Sequence, residues 1–538
     1  MIGDSMSAKR SKIIVLGCII MCFLVGCWSN SPSEIIEPDD EEAIPNSQSD
    51  RIIIDHEANQ NSFIQKVKVG WNLGCSLESS NFQRYTNEQV SQMRDAYQFM
   101  AVYSTKEWSG WDASPTAQVD MNGAGELSWK IETLNSDIAK QVGQFSFQII
   151  NHRLVDSGNS KLKVELKKAS FEKQDGTVVV FTQPLQSYDL YIRDSVSEYI
   201  TIDLSNLTEL VSGVDVLGGT LKLKIQILSY AKPANNYSIT ANDYYETLFG
   251  NPKTTQEILH RVKEAGFDAV RVPITYYDHM DDSGNIEEEW LNRIQEVVKG
   301  VLSEDMYCII NMHLDVGEKG WLTADKSCIT KNLALFQRIW AQVSNRFEDY
   351  DERLLFEGFN EMLNDKKEWD KADAQSYQAI NEYNQAFVDT IRSGNHYNQN
   401  RCLIVSTYAG KSWQDILNQF VLPTDTVKDR LIVQIHEYGG KEEISSMLKR
   451  VNARFITKQI PVVISEFGYT ADVPQEERLE TTKFMVTEAK KYQIPCFWWD
   501  DGGGAKEALE VHNYALLNRN TLEWYFPELV DGLIDAAK

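Results

Sequence analysis

The chain has 538 residues, with 78 Asp and Glu against 53 Lys and Arg and a formal net charge of −25 at pH 7. That length allows more than one domain, and so acidic a balance argues against a nucleic-acid surface. Thirteen Trp, 23 Tyr and 21 Phe suit a large folded core and equally a protein that covers the apolar faces of polyols.

At the N-terminus, Lys9, Arg10 and Lys12 precede an apolar stretch over 13–25, too short to span a bilayer core comfortably but suited to a secretory signal. It ends in Leu24, Val25, Gly26 and Cys27, which resembles the bacterial lipoprotein box. The expectation is a signal peptide over 1–27, lipidation at Cys27 and attachment to the outer face of a membrane or the cell surface. An ordinary signal peptide or an uncleaved anchor is the plain alternative. Residues 28–60, around SPSEIIEPDDEEAIPNSQSD, read as a disordered acidic tether.

A first strand is expected in VKVGW, 67–71. Residues 81–129 are polar and mixed and read as a connecting segment. Between 143 and 229 come alternating runs such as GQFSFQII, KLKVELKKA, GTVVVFT, EYITIDL and GTLKLKIQIL. Period-two alternation with turn residues between indicates antiparallel strands with one solvated face, hence a β-sandwich over 130–235. Tyr188, Tyr191 and Tyr199 are available there as a glycan-binding face, or as packing.

From about residue 240 the texture changes to strand-like runs alternating with helical patterns. Thr254, Thr255, Gln256 and Glu257 read as a capping-box start for a helix ending at Gly266. Strands follow at 269–274, 307–312, 354–359, 402–406, 431–436, 461–465 and 494–499, with helices between them. With 67–71 they complete a (β/α)8 TIM barrel built from 61–80 plus 236–538, and the sandwich is inserted after its first strand.

Glu361, in LLFEGFNEM, and Glu466, in PVVISEFGY, each fall just past the C-terminal end of a buried strand. Either alone reads as a solvated surface acid. Two at strand ends of one barrel are a candidate acid/base and nucleophile pair for glycoside cleavage. Once Cys18, Cys22 and Cys27 are set aside, Cys75, Cys308, Cys328, Cys402 and Cys496 remain, an odd number without CxxC or Cys/His metal spacing. Neither a disulfide framework nor a metal or other cofactor is indicated.

GWNLG at 70–74, ETLFGNPKTT at 246–255, AVRVPITY at 269–276, INMH at 310–313, FNEM at 359–362, HEY at 436–438, ISEFG at 464–468 and WWDDG at 498–502 resemble, in order, the motifs of glycoside hydrolase family 5, in particular its bacterial endoglucanase and xyloglucanase branch. The resemblance implies retaining, endo-acting hydrolysis of a β-linked plant polysaccharide of β-1,4-glucan type by a monomer, with Glu361 as acid/base and Glu466 as nucleophile. Asn72, Arg271, His313, Asn360, His436, Tyr438 and Trp499 would surround the sugar or orient the two carboxylates. Strand alternation lets only one of Trp498 and Trp499 face the sugar, and Trp499 is the one expected there. This chain departs from the pattern at Cys75 and Ser76, where the branch reads Asn and Thr, at Leu314, where it has a second His, and at Asp501, where it has Asn. These changes leave the substrate open to a β-mannan or xylan. A surface lipoprotein that binds glycan without cleaving it is the alternative of another class.

Overall fold

The computed structural model describes residues 59–538, apart from breaks between 81 and 250 and at 503–513. Cys27, the signal segment and nearly all of the 28–60 tether therefore lie outside the described residues.

Eight parallel strands close into a barrel: Val69–Leu73, Ala269–Val272, Tyr307–Asn311, Leu354–Glu357, Leu403–Ser406, Leu431–His436, Val462–Phe467 and Cys496–Asp500. They are taken below as the first to eighth barrel strands. The ring closes where Val69 pairs with Cys496 and Leu73 with Asp500. All eight expected strands are present, because a strand covered on both faces needs apolar residues at every position and so stands out as a continuous run.

Alternation divides those residues between two cores. Val270, Val272, Cys308, Ile310, Phe356 and Val405 point outward against the helices. Ala269, Ile309, Leu355, Ile404, Ile432, Val463 and Phe497 fill the inside, together with Phe63, Ile64 and Val67 from the end of a short helix, Gln60–Lys66. That helix closes the N-terminal mouth, with Phe63 edge-on to Tyr307 at 5.6 Å. Gly70 is required here, since a Cβ would lie 2.2 Å from the Phe497 ring that occupies the axis. Above this apolar layer, toward the strand C-termini, the inward residues are polar and buried: Asn72, Arg271, Asn311, Glu357, Gln434 and Ser465.

The helix after the insert, Gln256–Ala265, ends at Gly266 with φ +103°, as a left-handed C-cap. Its capping box does not form. Thr255 makes no side-chain cap bond, and Thr254 is drawn away to the loop after the first strand, its hydroxyl 3.0 Å from that of Ser76. Tertiary contact has replaced the local cap.

The insert consists of two antiparallel sheets over one core. One sheet runs Val196–Ser197, Ser187–Arg193, Lys161–Glu172, Thr220–Ser229, Ala124–Lys130, with Val178–Phe181 also on Lys161–Glu172. The other runs Ile200–Asp203, Gln144–Ile149, Ala96–Ser104, Trp111–Ala113, with Ala117–Asp120 also on Ala96–Ser104. Phe145 of one sheet stacks on Phe171 of the other at 5.3 Å. The segment 81–129 is thus no mere connection, because Ala96–Ser104 and Ala124–Lys130 belong to the sheets. Ala96–Ser104 escaped a reading based on alternation because residues 99–103 are buried on both faces. Tyr188 packs partly into the sandwich core, and the Tyr199 hydroxyl accepts from Gln148. The side chain of Tyr191 lies outside the described set.

The root of the insert is tied to the barrel. Ser80 donates to Asp278 at 2.5 Å, and Arg293 grips Glu246 through two nitrogens, each at 2.8 Å. Tyr244 and Tyr245 pack with Val90 beside them. Cys75, Cys308, Cys402 and Cys496 are buried free thiols. No described helix is long and apolar enough to cross a membrane.

Candidate active site

Both glutamates lie at the C-terminal mouth of the barrel, brought there by different means. Glu361 follows the fourth strand in a loop. Glu466 is inside the seventh strand, where the pairing slips: Ile435 faces Ile464, but His436 faces Glu466. On the other side, Ile464 faces Cys496 and Phe467 faces Trp498. The extra residue lets Ile464 and Phe467 both point outward into the core while Ser465 and Glu466 both turn to the axis.

Glu466 is 4% exposed and surrounded by polar side chains. Arg271 Nη1 lies at 2.7 Å and the Tyr438 hydroxyl at 2.8 Å. His436 Nδ1 is at 3.3 Å and His313 Nε2 at 3.4 Å. Burial alone would raise this carboxyl, but His436, Arg271 and His313 outweigh it and hold the group well below the usual carboxylate range. Glu361 is more open, its side chain 16% exposed, and its Oε1 lies 2.8 Å from His436 Nδ1. A carboxylate oxygen of Glu361 comes within 4.8 Å of one on Glu466.

Arg271 uses all five of its N–H groups. Nε and Nη2 fork onto Glu357 at 2.8 and 2.6 Å. Nη1 donates to Asn72 Oδ1 at 2.9 Å as well as to Glu466, and Nη2 also donates to Asn360 Oδ1 at 2.9 Å. Burial opposes the guanidinium charge, yet Glu357 and Glu466 more than restore it, so Arg271 is cationic at any working pH. Glu357 also accepts from Asn311 Nδ2 at 2.9 Å. Neither Glu357 nor Asn311 figured among the expected site residues. The signal was available: alternation puts Leu355 and Glu357 on the inside of the fourth strand, and a buried inward charge requires an opposite one.

Asn72 requires correction. Expected against the sugar, it is wholly buried, with Oδ1 accepting from Arg271 and Nδ2 donating to the carbonyls of Ser465 and Trp498 at 2.9 and 3.1 Å. It lies one layer below the mouth and braces Arg271. Asn360 is placed differently: Oδ1 faces Arg271, and Nδ2 has no partner among the described residues.

Trp498 points into the outer core and donates to the Tyr514 carbonyl at 2.9 Å. Trp499 faces the mouth, its ring nearly parallel to His313 (11°) at 5.5 Å. Gly74 makes room for it, since a Cβ there would come within 2.8 Å of both the Trp499 ring and the Asp500 carbonyl. Among the departing positions, the amides of Cys75 and Ser76 both donate to Glu78. Burial pushes the Glu78 carboxyl up, against the pull of His313 and those amides. Asp501 accepts from the Tyr514 amide at 3.0 Å.

The arrangement offers one buried, cation-held carboxylate and one more open carboxyl close enough to act on the same atom from opposite sides. Retaining glycosidases hold their carboxyls about 5–5.5 Å apart, and inverting ones about 6.5–9.5 Å, to admit a water between. Carboxylate oxygens that come within 4.8 Å of one another belong with the first.

Residues 232–504 match the family described as Cellulase (glycosyl hydrolase family 5). Endoglucanase A of Clostridium longisporum is 32% identical over 391 residues, 68% of this chain and 71% of that protein. Among solved structures, a broad specificity endoglucanase from Ruminococcus champanellensis with bound cellotriose is 36% identical, with a TM-score of 0.51, over 55% of this chain and 89% of its own. A family 5 enzyme from Prevotella bryantii in complex with a xyloglucan tetradecasaccharide is 30% identical, with a TM-score of 0.52, over 56% of this chain and 92% of its own.

Proposed function

The chain belongs to the cellulase family, glycosyl hydrolase family 5, and on that premise we propose that it cleaves internal bonds of β-1,4-glucan-type polysaccharides with retention, through Glu466 as nucleophile and Glu361 as acid and base. The observation that carries this reading is that the two carboxylates come within 4.8 Å of each other in unequal surroundings.

In the first step a Glu466 oxygen bonds to the anomeric carbon as the glycosidic C–O bond breaks, and the Glu361 proton passes to the departing sugar oxygen. In the second, Glu361 takes a proton from water, whose oxygen attacks the anomeric carbon and frees the Glu466 carboxylate. Arg271 and Tyr438 aim Glu466 and keep it ionised. Asn360 Nδ2 is free to donate to the sugar 2-hydroxyl, and Trp499, backed by His313, offers a flat ring to the sugar face. Relatives described as broad-specificity support a tolerant cleft, and product analysis on β-glucan, xyloglucan, mannan and arabinoxylan would define it.

Azide rescue tests the roles. In Glu466→Ala, azide restores turnover of an activated aryl glycoside with inversion; in Glu361→Ala, it yields a glycosyl azide with retention. Exchanged outcomes, or substantial activity in Glu466→Ala without azide, would refute the assignment.

The membrane attachment rests on the Cys27 box and the acidic 28–60 stretch. Its support within the fold is directional. Helix Gln60–Lys66 closes the barrel mouth away from the catalytic face, so a tether entering at 59 leaves that face to the substrate. Loss of palmitate labelling and release from membranes in Cys27→Ala would be the expected result.

A further inference from the structure

Beneath the two glutamates, a chain of buried hydrogen bonds has its direction fixed at one end. The Phe359 carbonyl oxygen can only accept, and it takes Gln434 Nε2 at 2.8 Å and the Ser406 hydroxyl at 2.5 Å. Gln434 Nε2 also donates to Ser406 Oγ. The amide of Gln434 therefore cannot be turned round, and its Oε1 must face Ser465, whose hydroxyl donates to it at 2.8 Å. With that proton spent, Ser465 Oγ accepts from His436 Nε2 at 3.0 Å. Gln434, Ser465 and Ser406 are all without solvent exposure, so no water competes.

His436 consequently carries its proton on Nε2. Its Nδ1 lies 2.8 Å from Glu361 Oε1, and two lone pairs at that distance repel. A proton has to sit between them. We propose that Gln434 and Ser465 are positioning residues which, by fixing the tautomer of His436, keep a proton on the Glu361–His436 pair, the proton Glu361 delivers to the leaving group. The inference rests on Glu361 being the acid. It also serves the second step, because a Glu361 that has given up its proton faces the Nδ1 lone pair and readily takes one from water.

If Ser465→Ala removes the anchor, the imidazole is free to carry its proton on Nδ1 and donate to an ionised Glu361, so the acid loses its proton at lower pH. Gln434→Leu does the same by another route, since the Ser465 hydroxyl can then turn and donate to Nε2. The other charged group facing His436 is Glu466 at 3.3 Å, with Arg271, His313 and Tyr438 behind it. From the turn Tyr408–Gly410 after the fifth strand, the uncharged Gly410 backs the ring. All of these remain in both variants.

The experiment is the pH dependence of kcat/KM on cellotetraose, whose leaving group needs protonation. The alkaline limb should move to lower pH by about one unit in Ser465→Ala and Gln434→Leu, and stay in place in Ser465→Thr, which keeps the hydroxyl. Unmoved limbs in the first two variants would overturn the proposal. So would nitrogen-15 NMR of the wild-type His436 ring showing Nε2 without a proton, a measurement that needs no variant to fold. A dinitrophenyl cellobioside separates the two layers: if the wild-type alkaline limb is as sharp on that leaving group, Glu361 is not the acid, whatever the variants do.

Discussion

His279 makes acid a specific threat to the junction between insert and barrel. It is 1% exposed, lies flat on Trp290 at 3.6 Å and meets Tyr245 edge-on at 4.6 Å. Neither ring nitrogen has a hydrogen-bond partner among the described residues. Burial lowers its pKa from 6.5 to about 3. A base with a depressed folded pKa binds its proton in the unfolded chain first. Its neutral burial is therefore without penalty above pH 6.5, and stability is lost as pH falls from 6.5 toward 3. At 1.36 kcal/mol per unit, the loss from this group is about 2 kcal/mol at pH 5 and about 4 kcal/mol near pH 3. His279→Phe keeps the stacking and removes the proton site. Urea unfolding at pH 7 and pH 5, followed by tryptophan fluorescence, should show the wild type losing about 2 kcal/mol more than the variant between the two pH values. Equal losses in both proteins, or a larger loss in the variant, would mean that His279 is not the acid-sensitive group.

Glu357→Ala leaves Arg271 buried with two N–H groups unsatisfied, and should cost about 3–5 kcal/mol of stability; combined with Arg271→Ala, the two losses should be clearly less than additive in a double-mutant cycle. The proton and the nucleophile both come from side chains in the proposed reaction, so dialysis against EDTA should leave kcat unchanged, and a loss restored by a divalent cation would contradict it. Replacing 96–229 with a Gly/Ser linker should leave turnover of small aryl glycosides intact. A raised KM on polymer alone would give the sandwich a substrate role, and failure of the barrel to fold would make it a prop.

The barrel was legible because eight runs buried on both faces leave little else they can be. The same logic hid Ala96–Ser104, a strand of the sandwich with no alternation to display. Glu361, Glu466, Arg271, His436 and Tyr438 converge as their positions at strand ends require. Asn72 has the right strand but lies one residue layer too deep, and depth along a barrel axis depends on stagger between strands that are far apart in sequence. Glu357 and Glu78 are pairing problems: each is an ordinary acid until the structure shows what it is buried against. The slip at Ser465 is invisible in a single strand, since it exists only in the register with both neighbours. The network through Gln434 depends on that slip and could not have been read before it.

Retention through Glu466 as nucleophile can be trapped by inactivating the enzyme with dinitrophenyl 2-deoxy-2-fluoro-β-cellobioside and locating the label by peptide mass spectrometry. One fluorocellobiosyl group, esterified to Glu466, is the expected product. A label on Glu361, or no covalent adduct under conditions where the compound is bound and the protein folded, would contradict it.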